Sequence, residues 1–161
     1  MKDMKKLFQM GIAMLSVIVF SACTSDDSMS KRAEGTYTVE RVTNMVGLPV
    51  GVPFTPVTHT VQLKVKAVAD YFVNITLPSS TYNYMGTQMT IPEMTIENIP
   101  VVDDLENGVA IPKHRFVQED GKYIEGTISG DIEADGDVDL TVQYAYGNMP
   151  FQIKQEFESI D

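Results

Sequence analysis

The chain has 161 residues, with 12 Lys and Arg against 22 Asp and Glu, one Cys, no Trp and a net charge of −10. That length fits one domain, and a lone Cys excludes both an internal disulfide framework and a Cys-pair zinc site. The acidic balance argues against nucleic acid as a partner, since neutralising phosphates takes clustered Lys and Arg.

In chain order, the first feature is an address. Lys2, Lys5 and Lys6 precede an almost wholly apolar run from Leu7 to Phe20, followed by Phe20-Ser21-Ala22-Cys23. A basic start, a short apolar core and small residues at a cut make a secretory signal, too short for a comfortable membrane span. Ser21 and Ala22 before Cys23 resemble the bacterial lipoprotein box, with Phe20 where that pattern prefers Leu. The resemblance implies a signal peptide over 1–22 and acylation of Cys23, whose chains hold to a bilayer at about 0.8 kcal/mol per buried CH₂. The membrane is therefore the expected partner. Without residues 1–22, which carry three Lys and one Asp, the net charge becomes −12. Thr24-Ser25-Asp26-Asp27-Ser28 resembles an acidic surface-export tag of Bacteroidetes lipoproteins, and its composition also suits a plain tether over 23–33. The expected location is the outer membrane, with surface exposure and the periplasmic face both open.

From residue 34 to 161 the pattern is that of one all-β domain. Strands are expected over 35–43, 57–67, 71–78, 81–85, 88–101, 109–117, 122–134 and 137–146, with a closing strand over 149–158. Period-2 alternation carries most of them. Val57, His59, Val61, Leu63 and Val65 share one face, as do Tyr71, Val73, Ile75 and Leu77. Val138, Leu140, Val142, Tyr144 and Tyr146 form another set, and Met149, Phe151, Ile153, Gln155 and Phe157 a fourth. Ala69-Asp70, Asp120-Gly121, Asp135-Gly136 and Gly147-Asn148 read as turns. Pro49, Pro53 and Pro56 mark a loop between Asn44 and Pro56, and Pro92 marks a bulge or an edge. About eight antiparallel strands leave exposed edges unless they close, so an up-and-down barrel is the economical architecture. A two-sheet β-sandwich is the alternative.

Four segments extend this reading: Glu34-Gly35-Thr36-Tyr37-Thr38-Val39, Ile91 through Val101, Ile128-Ser129-Gly130-Asp131-Ile132, and Gly147-Asn148-Met149-Pro150-Phe151-Gln152-Ile153. In that order, behind the lipoprotein box, they resemble the calycin-like β-barrel lipoproteins of Bacteroidales. The resemblance implies a lipocalin-related barrel. It carries no established activity and no functional residues.

Chemistry is sparse. No GxSxG, HExxH, GxxxxGK[ST] or GxGxxG occurs, so no catalytic residue, metal or cofactor is expected and the protein is read as non-enzymatic. His59 lies on an apolar strand face, where core or cavity lining outweighs ligation. His114 sits in Lys113-His114-Arg115, read as a solvated face. Asp131-Ile132-Glu133-Ala134-Asp135-Gly136 mimics the start of a calcium loop, but the twelfth position, where an EF-hand needs a bidentate Glu, is Val142. What remains is aromatic and thioether stock. His59, Tyr71, Tyr82, Tyr84, Met85, Tyr144 and Tyr146 either fill the barrel or line a pocket for a small apolar or amphipathic ligand. A protein partner on an exposed edge is the rival expectation.

Overall fold

The computed structural model describes residues 28–104, 108–119 and 122–160. The signal peptide, residues 23–27 of the tether with Cys23 among them, and the Asp120-Gly121 turn lie outside the described residues.

The first described element is a helix, α1, Met29–Ala33. Ser28 caps it, its hydroxyl accepting from the Lys31 backbone N–H at 3.3 Å. Residues 28–33 fall in the tether expected from composition. They are ordered because Ser30 and Ala33 are fully buried and the Ser30 N–H donates to the Asp70 carbonyl at 3.2 Å. Glu34 then latches the helix to the sheet, accepting from Lys31 Nζ at 2.7 Å and from the Ala67 N–H at 2.9 Å.

The strands are β1 Gly35–Val46, β2 Val57–Ala69, β3 Phe72–Leu77, β4 Ser80–Tyr84, β5 Thr87–Ile91, β6 Met94–Pro100, β7 Val102–Asp103, β8 Val109–Gln118, β9 Ile124–Ile132, β10 Val138–Tyr146 and β11 Gln152–Ser159. Nine form one antiparallel sheet in the order β6-β3-β2-β1-β11-β10-β9-β8-β7. The first strand thus pairs with the last, Arg41 opposite Phe157 and Thr43 opposite Gln155. The expected barrel is present and nearly closed. Its seam lies between β6 and β8. The short β7 continues from β6 and pairs with β8 through Val102 and Ala110. At the other end of the seam the Gln118 side chain donates to the Thr95 carbonyl.

One expected element is corrected. The run 88–101 is two strands, because Pro92 has no N–H with which to continue a ladder. β5 leaves the barrel and pairs only with β4, Tyr82 opposite Met89, as a separate two-stranded sheet. Its turn is built on Met85 and Gly86, both with positive φ (49° and 79°), the geometry that suits a tight hairpin.

The inward faces follow the alternation closely. Leu63, Val73, Ile75, Leu140, Val142, Ile153 and Phe157 are all at most 3% exposed, each such burial being worth roughly 1.5–3 kcal/mol. Two glycines make room for this packing. Gly126 lies opposite Tyr144, and a Cβ there would come within 2.5 Å of the Tyr144 Cβ. Gly130 has a φ of 141°, and a Cβ there would come within 2.0 Å of the Asp139 carbonyl oxygen.

Candidate functional site

The two ends of the barrel are closed differently. At one end α1 packs against β2, β3 and β8. At the other, the β4–β5 hairpin folds over the mouth. Ser80, Tyr82 and Ile91 of the hairpin are buried. The Tyr82 ring meets Phe54 of the β1–β2 loop edge-on at 6.3 Å, and Tyr84 packs on Phe151 at 4.7 Å. The Tyr82 hydroxyl reaches Met149 Sδ at 3.9 Å. The hairpin is hydrogen-bonded to the barrel by no backbone ladder among the described residues. Its two bases are Pro78-Ser79 and Pro92-Glu93, and side-chain contacts hold it down. It is built as a lid.

Beneath the lid the inward face turns polar. Along β1 the buried positions are Val39, Arg41, Thr43 and Met45. Arg41 is only 3% exposed. Its Nη1 donates to the Pro78 and Ser79 carbonyls at 3.0 and 3.1 Å, at one base of the lid. Its Nε has no hydrogen-bond partner among the described residues, nor has Thr43 Oγ1 two positions along the same face. Gln155, opposite Thr43, donates to Ser80 Oγ at 3.3 Å.

The ion pairs found among the described residues are Lys31–Glu34, Arg32–Asp103, Arg115–Glu125 and Lys154–Glu156, and none involves Arg41. Burial lowers the Arg41 pKa, opposed by nearby Tyr144, yet an arginine keeps its charge in proteins. Burial also pushes Tyr82 up to about 12, helped by Tyr146. Tyr144 is raised further, by burial and then by Tyr82, against the pull of Arg41. Both phenols therefore stay neutral donors. A guanidinium buried without a carboxylate costs several kcal/mol, which makes this layer an unusual use of core space.

The sequence candidates divide around this layer. Tyr82 and Tyr144 lie in it, and Tyr146 is buried beside them. Tyr84 is half-buried on the lid, while Met85 is exposed at its tip. Two expectations are corrected. Tyr71 is 57% exposed, because it falls in the turn that precedes β3. His59 keeps its register opposite Arg41, but β2 projects beyond the core at its first half and the imidazole is exposed. His114, read as solvated, is half-buried and opposite Ile128, because the register shifts between Ile111 and His114. Pro112 in that interval was the signal for such a bulge.

Arg41, Thr43, Ser80 and Gln155 were not singled out by sequence reasoning. The alternation puts Gln155 on the apolar face and gives it no role. The available signal was an Arg at an inward position between Val39 and Met45.

Two depressions mark the surface of the described residues. A groove of about 1030 Å³ follows the seam, with Met94, Thr95, His114, Phe116, Gln118 and Tyr146 in its lining. An acidic cleft of about 510 Å³ lies at the α1 end, among Asp104, Asp131, Glu133, Asp137, Asp139 and Glu158. Carboxylate oxygens of Glu133, Asp135 and Asp137 come within 4.8 Å of one another on the exposed β9–β10 turn. Burial, then Asp104 and Asp139, raise the Asp131 pKa.

Residues 33–159 match the family model described as the calycin-like beta-barrel domain. Among solved structures, the crystal structure of a "putative outer membrane protein" of Bacteroides fragilis superposes with a TM-score of 0.63 at 19% identity. The alignment covers 83% of this chain and 53% of that one, so the chain spans about half the length of its structural relative. The likeness is one of fold. No curated protein matches.

Proposed function

The chain belongs to the calycin-like β-barrel domain family, and from that premise we propose that it is a lipid-anchored, non-enzymatic envelope protein whose barrel takes up a small amphipathic ligand beneath the β4–β5 lid. The observation that carries this reading is the lid itself. It closes the mouth through aromatic contacts and a few side-chain hydrogen bonds, with no backbone ladder to the barrel among the described residues, over an interior layer of neutral phenol donors and a guanidinium. Apolar walls with a few convergent polar groups are what small-molecule sites require.

The anchoring half of the proposal rests on Phe20-Ser21-Ala22-Cys23. It puts the protein at the outer membrane, in keeping with the description of its structural relative. Substituting Cys23→Ser should release the protein from the membrane fraction, and continued retention would refute lipidation. Native mass spectrometry of the full chain purified from its host tests the ligand half. A bound small molecule lost on Tyr82→Ala supports it, and a uniformly unliganded protein counts against it.

The seam supports a second reading, a protein partner docked along the β6 and β8 edges, which share no backbone ladder. In-cell cross-linking from Gln118 that recovers no partner would remove it.

A further inference from the structure

The unpartnered donors under the lid point to the chemistry of the ligand. Arg41 Nε and Thr43 Oγ1 stand two residues apart on the inward face of β1, both groups nearly completely buried and both without a partner among the described residues. Buried polar groups in folded proteins are nearly always satisfied, so two adjacent orphans on one face mark a place where something is to be bound. The charge says what. Arg41 has no carboxylate among its described ion-pair partners, and the nearby phenol of Tyr144 acts on it electrostatically. An anion placed there would take a charge-assisted hydrogen bond from Nε and a second from the Thr43 hydroxyl. The neutral phenols of Tyr82 and Tyr144 belong to the same cluster.

We propose that the lidded end of the barrel is a receptor for an oxyanion, of the carboxylate or phosphate kind, with Arg41 Nε and Thr43 Oγ1 as its donors. The inference rests on the lidded-barrel reading and deepens it, naming the polar head that the ligand must carry. It also gives Arg41 a second task. Its Nη1 already holds the Pro78 and Ser79 carbonyls, so the residue that receives the anion also pins the base of the lid. Ligand uptake and lid position are then coupled through one side chain.

The test uses the full chain in detergent, and a fluorescent long-chain polyene carboxylic acid beside the matching alcohol. The acid should bind about tenfold or more tightly than the alcohol, which is the value of one charge-assisted contact. Arg41→Met, which keeps the bulk and removes the charge, should bring acid and alcohol to equal affinity, the loss of the lid's anchor acting on both alike. Thr43→Val should weaken the acid severalfold and the alcohol not at all, and it keeps the test open if Arg41→Met does not fold.

Displacement of the acid by millimolar acetate or inorganic phosphate would assign the site to a free small oxyanion. Resistance to both would assign it to the head of an amphiphile. Equal affinity for acid and alcohol, unchanged in both variants, would overturn the oxyanion assignment and leave the barrel-ligand reading standing. Binding of neither probe, with no thermal stabilisation by acetate or inorganic phosphate, would overturn both.

Discussion

The acidic α1 end and the lidded end treat charge in opposite ways. Around the first, Asp104, Asp131, Glu133, Asp137, Asp139 and Glu158 crowd together with their carboxylates at the surface. Water screens them, and their mutual repulsion is mild. Under the lid sits a single cation, with no carboxylate paired to it among the described residues. One buried charge there costs more than several exposed ones at the other end. A cluster of charges is therefore a poor guide to where a molecule invests, and an isolated inward charge is a better one. The ends differ in construction as well. The α1 end is joined by strand ladders, and by backbone bonds such as Glu133 N–H to the Asp137 carbonyl at 2.8 Å. The lid is attached by side chains.

If the two ends differ in rigidity, the same kind of substitution should act unequally on them. The largest effect is expected from Gly130→Ala in the β9–β10 ladder, where a Cβ would press on the Asp139 carbonyl at a φ of 141°. Denaturant unfolding should show a loss of about 4 kcal/mol or more. At the lid tip, Gly86 has a positive φ but nothing within 4 Å of an added Cβ. Gly86→Ala should cost only about 1 kcal/mol. Comparable losses at the two sites would break the contrast.

Next in size is Tyr82→Ala, which removes the edge contact with Phe54 and the reach to Met149. About 3 kcal/mol is expected, concentrated in the lid. Amide exchange over residues 80–91 should accelerate while β1 and β11 keep their protection. Uniform acceleration would mean that the hairpin is an integral part of the barrel.

Smaller effects are expected from the carboxylates of the α1 end. Asp131 has its pKa raised by burial and by Asp104 and Asp139. Its charged form is therefore disfavoured in the fold, and the penalty appears as pH rises from the ordinary aspartate value through the raised one. Asp131→Asn should stabilise at neutral pH by about 0.5 kcal/mol, screening allowed for. The advantage should vanish below pH 3.8, the unperturbed value.

Glu34 has the opposite sign. The hydrogen bond from Lys31, then that from the Ala67 N–H, lower its pKa. Its contribution is present above the ordinary value of 4.5 and is lost as pH falls through the lowered one. Glu34→Gln should cost a few tenths of a kcal/mol at neutral pH, and pH-dependent melting should show the difference closing in acid.

The barrel was legible in the sequence because half-buried strands write their faces in alternation. Val138, Leu140, Val142, Tyr144 and Tyr146 were assigned inward and all are buried. The lid was not legible as a lid. Pro92 announced an interruption, but an apolar run on both sides of a proline does not say that one half pairs elsewhere. His59 shows the limit of periodicity, since a strand can keep its alternation after it has left the core. Arg41 was missed because a single charge within a strand is read by default as solvent-facing. Only its register between Val39 and Met45 places it inside, and that register depends on how β1 pairs with β2 and β11.

The central claim is that ligand is taken up under the lid and not in the acidic cleft. Residue-resolved hydrogen exchange of the full chain, with and without dodecanoate at saturating concentration, tests it most directly. The account predicts new protection over residues 78–92 and around Arg41 and Thr43, with residues 131–139 unchanged. Protection appearing at 131–139 with the lid unaffected would contradict it.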